Sequence, residues 1–358
     1  MFPRESARTK VPRMTSALRL GTYPTPVQRI ASLSVAGAEL WVKRDDLTSP
    51  LYGGNKVRKL EHVLAEARDE GAERLVTVGA AGSHHVLATT IYGRAAGFVV
   101  EAVLVPQPRT EHVVLGLRAD LAQGLVPFPV RSWGAVPFVV AQRVLAGAHY
   151  VHVGGSSVAG AMGYVDAARE LAAQVRTGAM PEPDLVVVTL GSGGTAAGLA
   201  AGFELEGLRT KVVAVCIATP PLVLAWTART LARACVRRAG CGGREAEAAA
   251  DRLIIDGRYY GAGYGHATSA GDEAMKVWAR AMSPSGADPE GLPLDATYTA
   301  KTFAAALDLL KSGETATPKT ILYWHTLSSA PMDPLLRGGP NAAPAEEDLA
   351  PRLRRLLL

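Results

Sequence analysis

From Trp41-Val42-Lys43 onward, short continuous apolar runs alternate with stretches in which apolar residues return every three or four positions, and the alternation holds almost to the end of the chain. Leu60, Val63, Leu64 and Ala67 fall on one face at helical spacing, so residues 58–70 predict a helix that stops at Gly71. Runs at 75–78, 99–105, 150–153, 185–190, 212–217 and 320–324 predict strands. Most are rich in Val and apolar on both faces, which suits strands covered on both sides in a parallel sheet. Helical stretches at 111–123, 159–175, 195–204, 222–238, 270–281 and 300–310 separate them. This alternation predicts an α/β fold with mostly parallel sheets. Residues 282–297 and the proline-rich 331–351 read as loops, and no internal repeat is visible. The strongest interruptions, Ser49 to Gly54 and Val175 to Pro183, enclose a smaller unit. The expected division is therefore a large domain of residues 1–51 plus 176–358 and a small domain of residues 52–175.

Length agrees with two units, because 358 residues exceed one ordinary core. A hydrophobic share of 48% with 20% charged residues excludes a disordered chain, and 37 Gly with 23 Pro in no fixed period exclude a collagen. The net charge of +5 is accounted for by residues 1–30, where six basic side chains face Glu5 alone. The remainder is neutral, so a globally basic surface for nucleic acid is not expected. No apolar run reaches the roughly 18 residues of a membrane helix, the longest, at 97–105 and 136–148, being interrupted by polar residues. Cys216, Cys235 and Cys241 are odd in number and form no CxxC pair. That pattern fits a reducing cytoplasm and gives no metal site. The arginine-bearing N-terminus carries Pro3 and Pro12 where a transit peptide needs an amphipathic helix, so a frayed end is expected.

Two glycine-rich segments carry the chemistry. In Gly53-Gly54-Asn55-Lys56-Val57-Arg58-Lys59, a glycine turn delivers lysines to the start of a helix, whose free amides favour anions. Lysines are scarce here, nine against 29 arginines, and only lysine can lose its proton and form an imine. The second segment, Gly191-Ser192-Gly193-Gly194-Thr195, follows a predicted strand and opens a predicted helix, which makes a nest of exposed amides for a phosphate. Its GxGxxA spacing also suits a dinucleotide, but the next strand ends in Ala218-Thr219 without an acid for a ribose, and no GKS or GKT follows. One phosphate on a small ligand is the better reading. An imine-forming amine joined to a phosphate nest is what a pyridoxal phosphate enzyme requires.

Lys43-Arg44-Asp45-Asp46-Leu47 followed by GGNKVRKLE resembles the D-cysteine desulfhydrase and 1-aminocyclopropane-1-carboxylate deaminase family, a tryptophan-synthase-β-like (fold type II) branch of the pyridoxal phosphate enzymes. The likeness continues in order through GSHH at 82–85, GSGGT at 191–195, GAGYG at 261–265, YTAK at 298–301 and HT at 325–326. It implies two three-layer α/β/α domains with pyridoxal 5'-phosphate in the cleft between them, and a cytoplasmic homodimer. It also implies roles. Lys56 would hold the cofactor as a Schiff base and act on the substrate Cα proton, and Lys59 with Gly191, Ser192, Gly193, Gly194 and Thr195 would hold the phosphate. Ser83 would sit beside the substrate, Tyr264 and Tyr298 would project over the cofactor, and Thr326 would bond the pyridine nitrogen.

The chain departs from the family pattern in two places. His84 stands where an asparagine usually donates to the cofactor's phenolic oxygen, and imidazole can donate there too while narrowing the substrate space. Leu327-Ser328-Ser329 follow the HT pair where two glycines are usual. Within the family, cyclopropane opening goes with a glutamate after the active-site tyrosine, whereas this chain has Thr299 there and Thr326 opposite the ring nitrogen. The resemblance thus implies β-elimination from a small amino acid such as D-cysteine, giving sulfide, ammonia and pyruvate. Cyclopropane deamination, β-replacement in a biosynthetic pathway and a silent cofactor-binding protein are the alternatives.

Overall fold

The computed structural model describes residues 17–34, 38–218, 220–282, 292–311 and 320–357. The chain runs β1 (Val27–Arg29), β2 (Glu39–Arg44), α1 (Asn55–Asp69), β3 (Arg74–Ala80), α2 (His84–Ala95), β4 (Val99–Val105), α3 (Glu111–Ala122), β5 (Val126–Pro129), α4 (Val136–Leu145), β6 (Ala148–Val151) and α5 (Val158–Arg176). It continues through β7 (Leu185–Leu190), α6 (Gly194–Leu205), β8 (Lys211–Cys216), α7 (Pro221–Arg238), α8 (Gly243–Asp251), β9 (Leu253–Asp256), α9 (Ser269–Met282), α10 (Thr299–Lys311), β10 (Thr320–His325), α11 (Met332–Arg337) and α12 (Pro351–Arg354). All six strands expected from the apolar runs are present, as are the seven expected helices. The expected loop at 331–351 is corrected: it contains α11, whose Leu335 is buried against the small sheet's core despite the surrounding prolines. Most of the loop expected at 282–297, and the expected frayed start, lie outside the described residues.

Six strands form one sheet in the order β1-β2-β10-β7-β8-β9, and four form another in the order β5-β4-β3-β6. Every pairing is parallel except the antiparallel β1–β2 edge. The larger sheet is covered on one face by α5 to α8 and on the other by α9 and α10. The smaller sheet packs α1, α2, α3 and the C-terminal segment on one face and α4 on the other. Burial on both faces is why the strands are apolar throughout. Among the described residues, no helix is long and apolar enough to cross a membrane.

Helix α5 joins the two layers, and small residues let it do so. A Cβ at Gly163 would lie 2.0 Å from the Arg58 carbonyl of α1, and one at Gly198 of α6 would lie 2.2 Å from the Ala161 carbonyl of α5. Only hydrogen at these positions lets the three backbones touch. The lysine-bearing helix and the helix behind the glycine loop are thereby fixed against one common neighbour.

Candidate active site

A cavity of about 410 Å³ opens between the sheets, walled by the residues that end or follow β3, β6, β7, β8 and β10. Carboxyl ends of parallel strands are where α/β folds place ligands. Lys56, Lys59, Ser83, His84, Gly191, Ser192, Gly193, Thr195, Tyr264, Tyr298, Thr299 and Thr326 all line it. Sequence positions up to 270 residues apart are thus brought to one place, as 326 and 56 show.

Lys56, the second residue of α1, follows a turn that only glycine can make: Gly54 has φ 89°, and a Cβ there would meet the Thr326 carbonyl at 2.5 Å. The turn is tied to the loop after β10 by Asn55 N–H donating to Thr326 O at 3.1 Å and Gly53 N–H donating to Ser328 Oγ at 2.9 Å. Lys56 Nζ donates to Asn55 Oδ1 at 2.9 Å. Loss of bulk water around the amine pulls its pKa down to about 8, with the Asp295 carboxylate opposing the fall.

The anion cradle is built from two loops. Gly193, at φ 96°, caps α6 in the left-handed region, where the first amides of the helix have no carbonyl partner within it. Gly194 N–H donates to Ser156 Oγ at 3.0 Å, and Ser156 Oγ pairs with Ser192 Oγ at 2.7 Å. Lys59 Nζ reaches the same point, donating to Gly154 O at 3.0 Å and Ser156 Oγ at 3.4 Å. Burial, with Lys56 close by, lowers the Lys59 pKa strongly, and an anion here would favour its charged form. Thr195 Oγ1 accepts from Asn55 Nδ2 at 3.2 Å and links cradle to lysine turn. Asn55, Gly154 and Ser156 are additions to the residues expected from sequence. Gly154-Gly155-Ser156-Ser157 after a predicted strand carries the same glycine–hydroxyl signal as the 191–195 loop.

On the opposite side, Tyr264 and Tyr298 share a hydrogen bond between their hydroxyls, and burial raises both phenols above their ordinary range. Asp295, also missed, accepts from the N–H of Thr297 at 3.0 Å and of Tyr298 at 2.6 Å and caps α10. The Thr299 hydroxyl, expected at the substrate, is committed to Asp295 Oδ2 at 2.8 Å. Ser83 caps α2, accepting from His85 N–H at 3.3 Å. His84, the first residue of α2, hydrogen-bonds through Nδ1 to the Tyr52 hydroxyl, and its ring lies 4.6 Å from that of His112.

Beneath the site, the KRDD segment forms a buried ionic network. Arg58 donates to Asp45 at 2.8 and 3.0 Å and to Glu170 at 2.9 Å, while Lys43 pairs with Glu170. Tyr164 and Trp324 each donate to Asp45 Oδ2 at 2.7 Å. These bonds hold the Asp45 and Glu170 carboxyls ionised against the cost of burial.

A buried amine, a cluster of one lysine, two serines and the start of α6, and the Thr326 hydroxyl beside one cavity fit pyridoxal phosphate. The family model described as pyridoxal-phosphate dependent enzyme matches residues 18–326. D-cysteine desulfhydrase of Salmonella schwarzengrund is 34% identical over 329 residues, covering 89% of this chain and 94% of that protein. A solved structure described as an ACC deaminase homologue superposes with a TM-score of 0.72 at 27% identity, covering 87% of this chain and 91% of that one. A hydrogen sulfide-producing enzyme from Fusobacterium nucleatum shares the fold, with a TM-score of 0.58 at 16% identity over 88% of this chain and 96% of that one. The chain belongs to the pyridoxal-phosphate dependent enzymes.

Proposed function

We propose that the protein is a lyase that removes the β-substituent and amino group of a small amino acid, with D-cysteine as substrate and sulfide, ammonia and pyruvate as products, one water being consumed. The observation that carries this reading is the opening of the Lys56 amine and the Lys59–Ser156–Ser192 cradle onto one cavity, with a hydroxyl, Thr326, at the loop after β10. The desulfhydrase relative supports the substrate.

Bound here, pyridoxal phosphate supplies an electron sink that allows a proton to leave Cα and a group to leave Cβ. Lys59, Ser192, Gly193, Gly194 and Thr195 would bind its phosphate, Lys56 would hold it covalently, and Thr326 would be a neutral partner for its ring nitrogen. Lys56, with its amine pKa near 8, would take the Cα proton as a base matched to neutral pH. Ser83 and the N-terminus of α2 receive the substrate carboxylate. Tyr264 and Tyr298, kept protonated by burial, would supply a proton to the leaving group. Thr299 positions Tyr298 through Asp295.

Borohydride treatment of the yellow protein followed by peptide mapping is expected to place the cofactor on Lys56, and incubation with D-cysteine is expected to release sulfide and pyruvate in equal amounts. An adduct on another lysine sinks the site assignment. Turnover of 1-aminocyclopropane-1-carboxylate in place of D-cysteine, replacement of the β-group without keto acid, or no turnover in a fully loaded protein redirects the reaction to the deaminase, β-replacement or silent reading respectively.

The division into 1–51 plus 176–358 and 52–175 is likewise proposed, supported by a four-stranded sheet drawn entirely from residues 74–151. A cytoplasmic homodimer is proposed on the family resemblance, with the three free cysteines favouring a reducing compartment.

A further inference from the structure

We propose that Tyr52 is a positioning residue that locks His84 in the neutral tautomer with its proton on Nε2, giving the cavity one fixed, uncharged N–H donor. Three observations on the ring carry this.

The first is proton bookkeeping. Tyr52 is buried, 3% exposed, and its hydroxyl bonds His84 Nδ1. If Nδ1 donated, the phenolic proton would need its own acceptor. If the phenol donates, both groups are satisfied by one bond. Tyr52 is itself held in place, because its carbonyl accepts from the Tyr92 hydroxyl at 2.7 Å. With Nδ1 taken as acceptor, the proton of a neutral imidazole must sit on Nε2, the remaining hydrogen-bonding atom of a ring that lines the cavity.

The second is the set of groups around the ring. Tyr52 lies at 6.2 Å between centroids, His112 of α3 at 4.6 Å and Tyr298 of the loop before α10 at 6.2 Å edge-on, while Lys56 acts from α1. Two phenols, an imidazole and an amine surround the ring, and the Asp295 carboxylate, which lines the same cavity, acts on Tyr52, Lys56, His112 and Tyr298 rather than on His84 itself. Burial and the neighbouring His112 and Lys56 drive the His84 pKa well below its ordinary value.

The third is position. His84 is the first residue of α2, at the positive end of a twelve-residue helix, where a second positive charge is disfavoured. The residue at the departure from the family pattern is therefore a neutral donor for an anionic oxygen. Its identification with the donor to the cofactor's phenolic oxygen rests on the function proposed above. The tautomer does not.

The test is nitrogen NMR of histidine-labelled protein, loaded and cofactor-free, with His84 assigned by its loss in His84→Asn. Between about pH 6 and 8, wild type is expected to show His84 as neutral Nε2–H throughout. Tyr52→Phe, which keeps the ring and removes only the hydroxyl, is expected to change the ratio of the two tautomers roughly tenfold, the worth of one hydrogen bond. In the loaded protein, the pH midpoint of the visible spectrum is expected to move in the same variant. A wild-type His84 that is protonated or carries its proton on Nδ1 overturns the proposal even where the variant fails to fold. An unchanged tautomer ratio in folded Tyr52→Phe also overturns it. Because the tautomer is read without cofactor as well, a failed Lys56 adduct leaves it standing, and a wrong tautomer leaves the Lys56 assignment untouched.

Discussion

Folding strips water from the Lys56 amine and lowers its pKa, and that loss carries a cost in stability. Its folded pKa is about 8 against an ordinary 10.5, so the protonated form is the one the fold disfavours. Between these values the unfolded chain binds more protons than the folded one, and stability rises with pH across that window. Cofactor-free Lys56→Met lacks this burden. It is expected to exceed wild type at pH 7 by on the order of 3 kcal/mol, with the gap closing toward pH 10.5; urea midpoints across pH read it, and a gap that stays constant contradicts the buried-amine account. Ser328 explains one departure from the family pattern: its hydroxyl accepts from Gly53 N–H at 2.9 Å and Ala330 N–H at 3.1 Å, so it clasps the lysine turn. Ser328→Gly is expected to lose about 1 kcal/mol in the same measurement. Lys56 and the 191–195 loop were legible because glycine and a scarce reactive side chain stand next to one another in sequence. Tyr52 was not, since it meets His84 only through folding; Asp295, whose bonds run to the nearby Thr297, Tyr298 and Thr299, was missed because it lies in the stretch that reads as a loop.

Helix α1 is held from below by charge and from the side by contact with α5. Arg58 is 3% exposed and bridges Asp45 of the segment after β2 to Glu170 of α5. Removing it leaves two carboxylates buried without their main partner, so Arg58→Met is expected to destabilise by about 3–5 kcal/mol in denaturant unfolding. Cofactor affinity is expected to fall with it, because Lys56 and Lys59 ride on the same helix. The cradle offers a more local test. A Cβ at Gly194 would lie 2.6 Å from Ser156 Oγ, so Gly194→Ala must push that hydroxyl away from Ser192 and Lys59. Weaker pyridoxal phosphate binding with a retained fold is expected, measured by titration of the visible band; wild-type affinity would falsify the cradle. Most elements read correctly from sequence had an exposed polar face or a continuous apolar run, and α6, ten of whose twelve residues are buried, was legible from the glycine loop that precedes it. Helix α2 went unseen because nine of its twelve residues are buried, which erases helical periodicity. Strand β5, Val-Pro-Phe-Pro, went unseen because proline argues against a strand and is tolerated only at this sheet edge.

At the scale of the whole molecule, the cavity exists because two sheets present the carboxyl ends of their strands to each other, and the chain crosses between them more than once. The last crossing is the least expected from sequence. After β10 of the large sheet, the chain passes through Thr326 and Ser328 at the cavity and then settles on the small sheet's helices, where Leu335, Leu349, Leu353 and Leu356 enter the core with Val113 and Leu117. Gln107 N–H donates to the Leu356 carbonyl at 3.1 Å, Arg118 Nε to the Pro344 carbonyl at 2.6 Å, and Gln123 Nε2 to the Leu335 carbonyl at 2.7 Å. The tail therefore straps the loop after β10 to the helices of the small sheet, and its proline content, which reads as loop, hides the leucines that anchor it. Leu356, 2% exposed, is the anchor nearest the end. Leu356→Ala is expected to cost about 2–5 kcal/mol in urea unfolding if the tail belongs to the cooperative core. Because the strap also sets the cavity wall, the same variant is expected to bind pyridoxal phosphate more weakly although its substitution lies outside the cavity. A variant with full stability and full affinity would show that the tail rests on the fold without strapping it.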